Sequence, residues 1–219
     1  MSKIIVDTIE STGTTVTVND ALSAGTNAIT AGSVTGLTAT SITSGTLAGA
    51  RLPDGTVIQT VQSAYTTDFS QTVNGTSYAF INTGTEDLAV TITPSSTDSK
   101  VLLSFNFGRI SGHSTGTGWG LGCIIVRGTT SVGISTSTAV PKASFNAGVV
   151  FPNYNNATTF QFLDSPSTTS ATTYKIKVIG HTNSDYTMLV NKPENNSTDT
   201  WAGWACQTIT TFIAQEIKG

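Results

Sequence analysis

Charge is scarce in this sequence. Only 11% of its 219 residues are Asp, Glu, Lys or Arg, against roughly 25% in an average globular chain. With 10 basic and 13 acidic residues the formal net charge is -3, which argues against a general nucleic-acid binder and its basic patch. Long apolar runs are missing too. None approaches the roughly 18 residues needed to cross a bilayer, so no membrane insertion is expected. The start, MSKIIVDTIEST, has one Lys and a three-residue apolar run, short of a secretory core of about 7 to 15 residues. Retention in the cytoplasm of the producing cell is the expectation. Cysteine is limited to Cys123 and Cys206; in that compartment two distant cysteines are expected as buried thiols. With His113 and His181 they make no zinc pattern. Sustained i, i+3, i+4 apolar spacing is absent, which speaks against helical classes.

Aromatics are missing from the front of the chain. Residues 21–50 hold neither an aromatic nor a charge, and all 17 Phe, Trp and Tyr residues lie from Tyr65 onward. Large rings dominate the energetics of packed cores, so the core is assigned to residues 56–219. What the chain has in abundance is 42 Thr, 24 Ser and 21 Gly. Thr is β-branched and favours strands, while Ser and Gly favour turns.

Within the front region, Leu37, Ile42, Leu47, Leu52 and Val57 recur every five residues, with little but Thr, Ser, Gly and Ala between the first four. On a helix, five residues advance about 500°, so no stripe forms. In a strand, odd spacing sends alternate side chains to opposite faces. A lone chain gains about 1.5 to 3 kcal/mol per buried Leu and loses about 1 to 2 kcal/mol for each residue it orders. Such a segment orders only if several identical chains wind about one axis and share these five residues in layers. The alternative is a flexible Gly/Ser/Thr linker; the even spacing favours the shared shaft. ARLPDGT would then turn the chain, through Pro53 and Asp54-Gly55, into the part that follows.

From residue 56 strand signals are dense: TVIQTVQ, SYAFINT, DLAVTIT, KVLLSFNFG, GLGCIIVRG, GVVF, TTFQFLD, TYKIKVIG, YTMLVN and CQTITTFIAQEI. Turn-rich stretches such as TPSSTDS, DSPSTTS and NKPENNSTDT separate many of them. In TYKIKVIG, Tyr174, Ile176 and Val178 share one face and Lys175 and Lys177 the other. The expectation is all-β: an N-terminal shaft over 21–55 and, over 56–219, an antiparallel β-sandwich of jelly-roll type.

Catalytic motifs do not emerge. GTGWGLG (116–122) is not a dinucleotide loop, because Leu121 or Cys123 stands where the third glycine belongs. Its alternating glycines predict a strand face stripped for close packing. Asp164, Asp185, Glu194 and Asp199 fall in or beside expected loops with no spacing that marks a glycan-cleaving pair. No nucleophile motif is present, and no catalytic residue, metal or cofactor is assigned. Two loops combine aromatic rings with polar groups: FPNYNNAT, with Asn153, Tyr154 and Asn155, and NNSTDTWAGW, with Trp201 and Trp204. Rings in loops stack on sugars and dominate protein contacts; the same tryptophans could also pack a subunit interface.

MSKIIVDTIES, the sparse Ser/Thr/Gly stretch, ITPSSTDSKVLLSFNFG and YTMLVNKPENNSTDTWAGWACQTITTFIAQEI together resemble tail-fibre-like virion proteins of marine bacteriophages, cyanophages included. The resemblance covers most of the chain and is best at residues 92–108 and 186–217. It implies a segment over 1–20 that docks on other virion proteins, here through Ile4, Ile5, Val6 and Ile9. It also implies a trimeric shaft and a head that contacts a host-surface glycan or protein. The expectation is a non-enzymatic homotrimeric fibre of the virion, assembled in the host cytoplasm. The alternatives are a capsid-attached fibre or tail component without a receptor, a small capsular depolymerase, and a cellular lectin-like module.

Overall fold

The computed structural model describes residues 49–75, 77–82, 86–113, 119–136, 142–150, 156–180, 185–192 and 207–219. These belong to one compact unit, Leu47–Gly219. The chain enters through a short 3-10 turn, Gly49–Arg51, and then turns sharply. Gly55 has φ +85°, and the Thr56 N–H donates to Pro53 O at 3.3 Å. That is the geometry of a type II turn, with glycine where the left-handed conformation falls. The turn expected at Pro53, Asp54 and Gly55 is the turn observed.

The fold is all-β. In chain order the strands are β1 (Val57–Tyr65), β2 (Phe69–Val73), β3 (Ala79–Phe80), β4 (Ala89–Ile92), β5 (Lys100–His113) and β6 (Trp119–Arg127). They continue as β7 (Thr130–Val132), β8 (Phe145–Val150), β9 (Asn156–Asp164), β10 (Thr172–Gly180), β11 (Tyr186–Val190) and β12 (Thr210–Ile217). Sequence patterning anticipates ten of these. It misses β2, FSQTV, where three polar residues separate Phe69 from Val73, and β7, only three residues long.

β5 is the spine of the first sheet. Its first half has β12 on one side and β9 on the other; its second half has β11 where β12 leaves off. β1 continues the sheet beyond β12, and β2 beyond β11. The order across is therefore β1/β2, β12/β11, β5, β9. The second sheet runs β4/β3, β10, β6, β7/β8. Every strand pairing among the described residues is antiparallel.

Alternation builds the core. Inward positions of β5 (Val101, Leu103, Phe105, Phe107) meet those of β6 (Leu121, Cys123, Ile125) and β10 (Tyr174, Ile176, Val178) in one buried cluster. Phe105 stands edge-on to Phe107 at 4.5 Å and to Phe212 at 5.4 Å, and reaches Phe145 of the second sheet at 5.7 Å. Edge-to-face pairs of this kind add about 0.5 to 1.5 kcal/mol beyond area burial. Cys123 is a free thiol sealed in this core, and burial pushes its pKa up.

Buried polar groups stitch the layers. Tyr65 of β1 donates its hydroxyl to Ala89 O of β4 at 2.8 Å and accepts from the Ala89 N–H at 2.6 Å. Glu216 of β12, 2% exposed, accepts on Oε1 from Ser95 N, Ser95 Oγ and Ser99 Oγ at 2.6 to 2.7 Å. That carboxylate ties the β4–β5 turn to the end of β12, and charge-assisted bonds of this type are the stronger kind.

Candidate functional site

Of the four acids weighed for a catalytic pair, Asp164 and Asp185 are described, and each has a polar partner. Asp164 is buried, accepts from the Tyr174 hydroxyl at 2.7 Å and pairs with Arg127 Nη1 at 3.0 Å. Burial, together with the bond to Asp164, drives the Tyr174 phenol well above its ordinary pKa. This triad joins β9 of the first sheet to β6 and β10 of the second, so it is a structural tie. Asp185 accepts from Asn74 Nδ2 at 3.1 Å. Glu194 and Asp199 lie outside the described residues, as do Ile4, Ile5, Val6, Ile9, Leu37, Ile42, Leu47, Asn153, Tyr154, Asn155, Trp201, Trp204, His181 and Cys206.

Of the five-residue series, Leu52 and Val57 are described. Leu52 is half-buried beside the entry turn, its N–H donating to Gly49 O. Val57 opens β1 opposite Ile217 and is 48% exposed.

The outward surfaces of the two sheets differ in kind. On the first sheet the register lines up Thr60, Gln215, Leu102 and Leu163 in one row. The next row is Gln62, Ile213, Ser104 and Gln161; the third is Ala64, Thr211, Asn106 and Thr159. None of these side chains is charged, and none is buried. Amides and hydroxyls bridge neighbouring strands: Gln161 Nε2 to Ser104 Oγ at 3.1 Å, and Thr159 Oγ1 to Asn106 Oδ1 at 3.2 Å. In the row flanking the first, Lys100 stands beside Ile217 and Val57. Leu163, in the first row, is 46% exposed, and Ile209, immediately before β12, is 50% exposed. With Val57 these are the exposed large apolar side chains among the described residues, and all three belong to this sheet or its flank.

The second sheet is charged and partly covered. Lys175 and Lys177 lie 5.4 and 4.5 Å from the centre of the Phe80 ring, a cation–π arrangement. Lys175 also pairs with Asp87 at 2.8 Å. That bond, seconded by Asn82, lowers the Asp87 pKa. Ile124, Val126 and Ile179, on the outward side, are buried nonetheless. A Cβ on Gly122 would stand 3.1 Å from Ile179 Cγ2 and 3.5 Å from Ala143 Cβ, so the strand face is closely approached at this glycine; Gly116 and Gly118 of GTGWGLG lie outside the described residues.

The uncharged face of the first sheet was not anticipated from sequence. Its signal is distributed over four strands, three residues at a time, and becomes visible only when register joins them.

No protein-family profile matches the chain, and no curated protein matches it in sequence. Among solved structures it is similar to the VP2 protein of an infectious bursal disease virus subviral particle. The match has 10% identity and a TM-score of 0.35, over 74% of this chain and 42% of that one. At that level the likeness assigns neither family nor function. No helix among the described residues is long and apolar enough to cross a membrane.

Proposed function

We propose that this chain is the subunit of a homotrimeric bacteriophage fibre, a non-enzymatic virion protein whose C-terminal head binds a host-surface glycan or protein. One contrast carries the reading. The unit that follows the Pro53–Thr56 turn buries its own aromatic core, whereas residues 21–50, ahead of it, hold no ring and no charge. A segment with one large apolar residue in five gains order only by sharing those residues with identical chains.

The strand order supports a jelly-roll head. Counted as single positions, β1/β2, β3/β4, β7/β8 and β11/β12 join β5, β6, β9 and β10 to make eight. Their order is 1-8-3-6 in one sheet and 2-7-4-5 in the other. Two interleaved four-position antiparallel sheets of this order are the jelly-roll arrangement, which recurs in viral capsid and lectin domains. Three heads per fibre, and several fibres per particle, would turn weak single contacts into avidity by raising effective concentration.

Antibody against the full chain, gold-labelled and viewed by electron microscopy on intact particles, tests the assignment. Label on projecting fibres is expected, and purified particles that carry no label would overturn it. Soluble full-length protein added to host cells is expected to reduce particle adsorption. Labelled fibres without any such competition would instead favour a structural fibre that touches no receptor.

A further inference from the structure

We infer that Asn74 is a site of spontaneous covalent modification, its side chain cyclising onto the Gly75 nitrogen and reopening, with loss of ammonia, as aspartate or isoaspartate. The chain has one Asn–Gly pair, Asn74-Gly75, and one Asp–Gly pair, Asp54-Gly55. Glycine puts no Cβ in the path of the five-membered ring that such pairs close. Their surroundings separate the two.

At Asp54-Gly55 the attacking nitrogen is engaged. The Gly55 N–H donates to Lys218 O at 2.8 Å, the glycine is held at φ +85°, and Lys218 Nζ pairs with the Asp54 carboxylate at 2.6 Å. At Asn74-Gly75 the ladder has already ended. The last β2–β11 partners are Val73 and Tyr186, and Gly75 stands in a bend beyond them. Asn74 Nδ2 donates to Asp185 Oδ1 at 3.1 Å in an exposed contact, and such bonds restrain a side chain only modestly against water. Asn106 is the opposite case, because Phe107 after it is paired with Thr158 in the β5–β9 ladder.

The chemistry needs only water. Hydroxide takes the Gly75 amide proton, and the nitrogen attacks Asn74 Cγ. The Cγ–Nδ2 bond breaks, and Nδ2 leaves as ammonia with a proton returned by water. A second water opens the imide. Opening at Cγ gives aspartate; opening at the former main-chain carbonyl gives isoaspartate. One water is consumed for each ammonia released, and nothing is oxidised or reduced.

The site is also a clamp. The Asn74 carbonyl accepts from the N–H of Gly180, the last residue of β10, at 2.8 Å. Its side chain reaches Asp185, directly before β11. Asn74 thus holds both ends of the connection that carries the chain from the second sheet to the first. Aspartate here sets a carboxylate against that of Asp185, and like charges so close disfavour joint ionisation. Isoaspartate lengthens the main chain and takes the carbonyl that served Gly180 out of it. Either product loosens the clamp.

Full-length protein kept in mildly alkaline buffer, and mapped at intervals by proteolysis and electron-transfer fragmentation, tests the site. Aspartate and isoaspartate are expected at position 74 before any change at Asn106 or Asp54, with Gly75→Ala suppressing the conversion. Conversion at Asn74 no faster than at Asn106 would overturn the assignment. The clamp is read separately, in Asn74→Asp. A lower melting temperature than the parent is expected at neutral pH, with faster hydrogen exchange at the Gly180 amide. The gap should narrow as pH falls through the carboxylate range, where one of the two acids takes up a proton. Aged unmodified protein, resolved by ion exchange for its added negative charge, gives the same comparison without a substitution. Melting and Gly180 exchange equal to the parent in both samples would overturn the clamp.

Discussion

At the scale of single residues, polar groups hold the two layers in place and rings fill the space between them. Asp87 shows the electrostatic side. Its carboxyl is held below the ordinary value of 3.8, first by the bond from Lys175 and then by that from Asn82. A lowered folded-state pKa means that this stabilisation is complete above 3.8. It drains away as pH falls from there through the folded value, because the unfolded chain takes up the proton first. Both partners are partly exposed, so the pair is worth at most about 1 kcal/mol. Asp87→Asn is therefore expected to lower stability by that order at pH 7 and to show a shallower acid limb in urea melts between pH 5 and 2. Identical pH profiles for the two proteins would contradict this account of Asp87.

At the scale of elements, the first sheet depends on one joint. β1 gives way to β2, and β11 to β12, at the same level, and Asn191 sits where they break. It is fully buried with φ 63°. Its Nδ2 donates to Tyr65 O at 2.8 Å and Thr67 O at 3.1 Å, and its Oδ1 accepts from Thr210 Oγ1 at 2.9 Å. Its backbone N–H donates to Arg109 O at 3.1 Å. Asn191 thus joins the β1–β2 link to the start of β12 through its side chain and holds β5 through its backbone, in a left-handed conformation that asparagine tolerates better than most residues. Asn191→Gly keeps the backbone conformation but orphans buried groups, and a loss of about 2 to 3 kcal/mol is expected. Asn191→Ala should lose about 1 kcal/mol more, for the left-handed backbone alone. Chemical denaturation measures both; equal losses would show that backbone conformation contributes nothing at this joint.

This joint also marks what the sequence could and could not reveal. The alternation of TYKIKVIG was legible, and β10 buries Tyr174, Ile176 and Val178 with the lysines outward, as the pattern requires. The end of β5 was not. Gly108 reads as a stop, yet the strand continues to His113. The glycine is there because the Thr208–Ile209 backbone crosses beside it, where a Cβ would collide with the Ile209 carbonyl. SYAFINT promised a full strand, but only Ala79 and Phe80 form a ladder with β10; the Ile81 N–H adds one bond to Ile176 O and Asn82 a bridge to Asp87, and β3 shares the edge of β10 with β4. Pairing partners far away in sequence decided these lengths, and local propensity contains no record of them. The same holds for the uncharged face of the first sheet. Gln161, Ile213 and Ser104 are unremarkable in their own strands and form one uncharged row only through register.

At the scale of the whole molecule, the proposed fibre rests on a division of labour along the chain. The described unit has its own core of packed rings. The stretch before it has 30 residues, 21–50, without a ring or a charge, and too few apolar side chains to offset the entropy of ordering alone. The central claim is that this stretch becomes structured by association of identical chains. Multi-angle light scattering of the full-length protein across a range of concentrations tests it most directly. The account predicts one species with three times the mass of the chain; a stable single-chain mass at every concentration would contradict it.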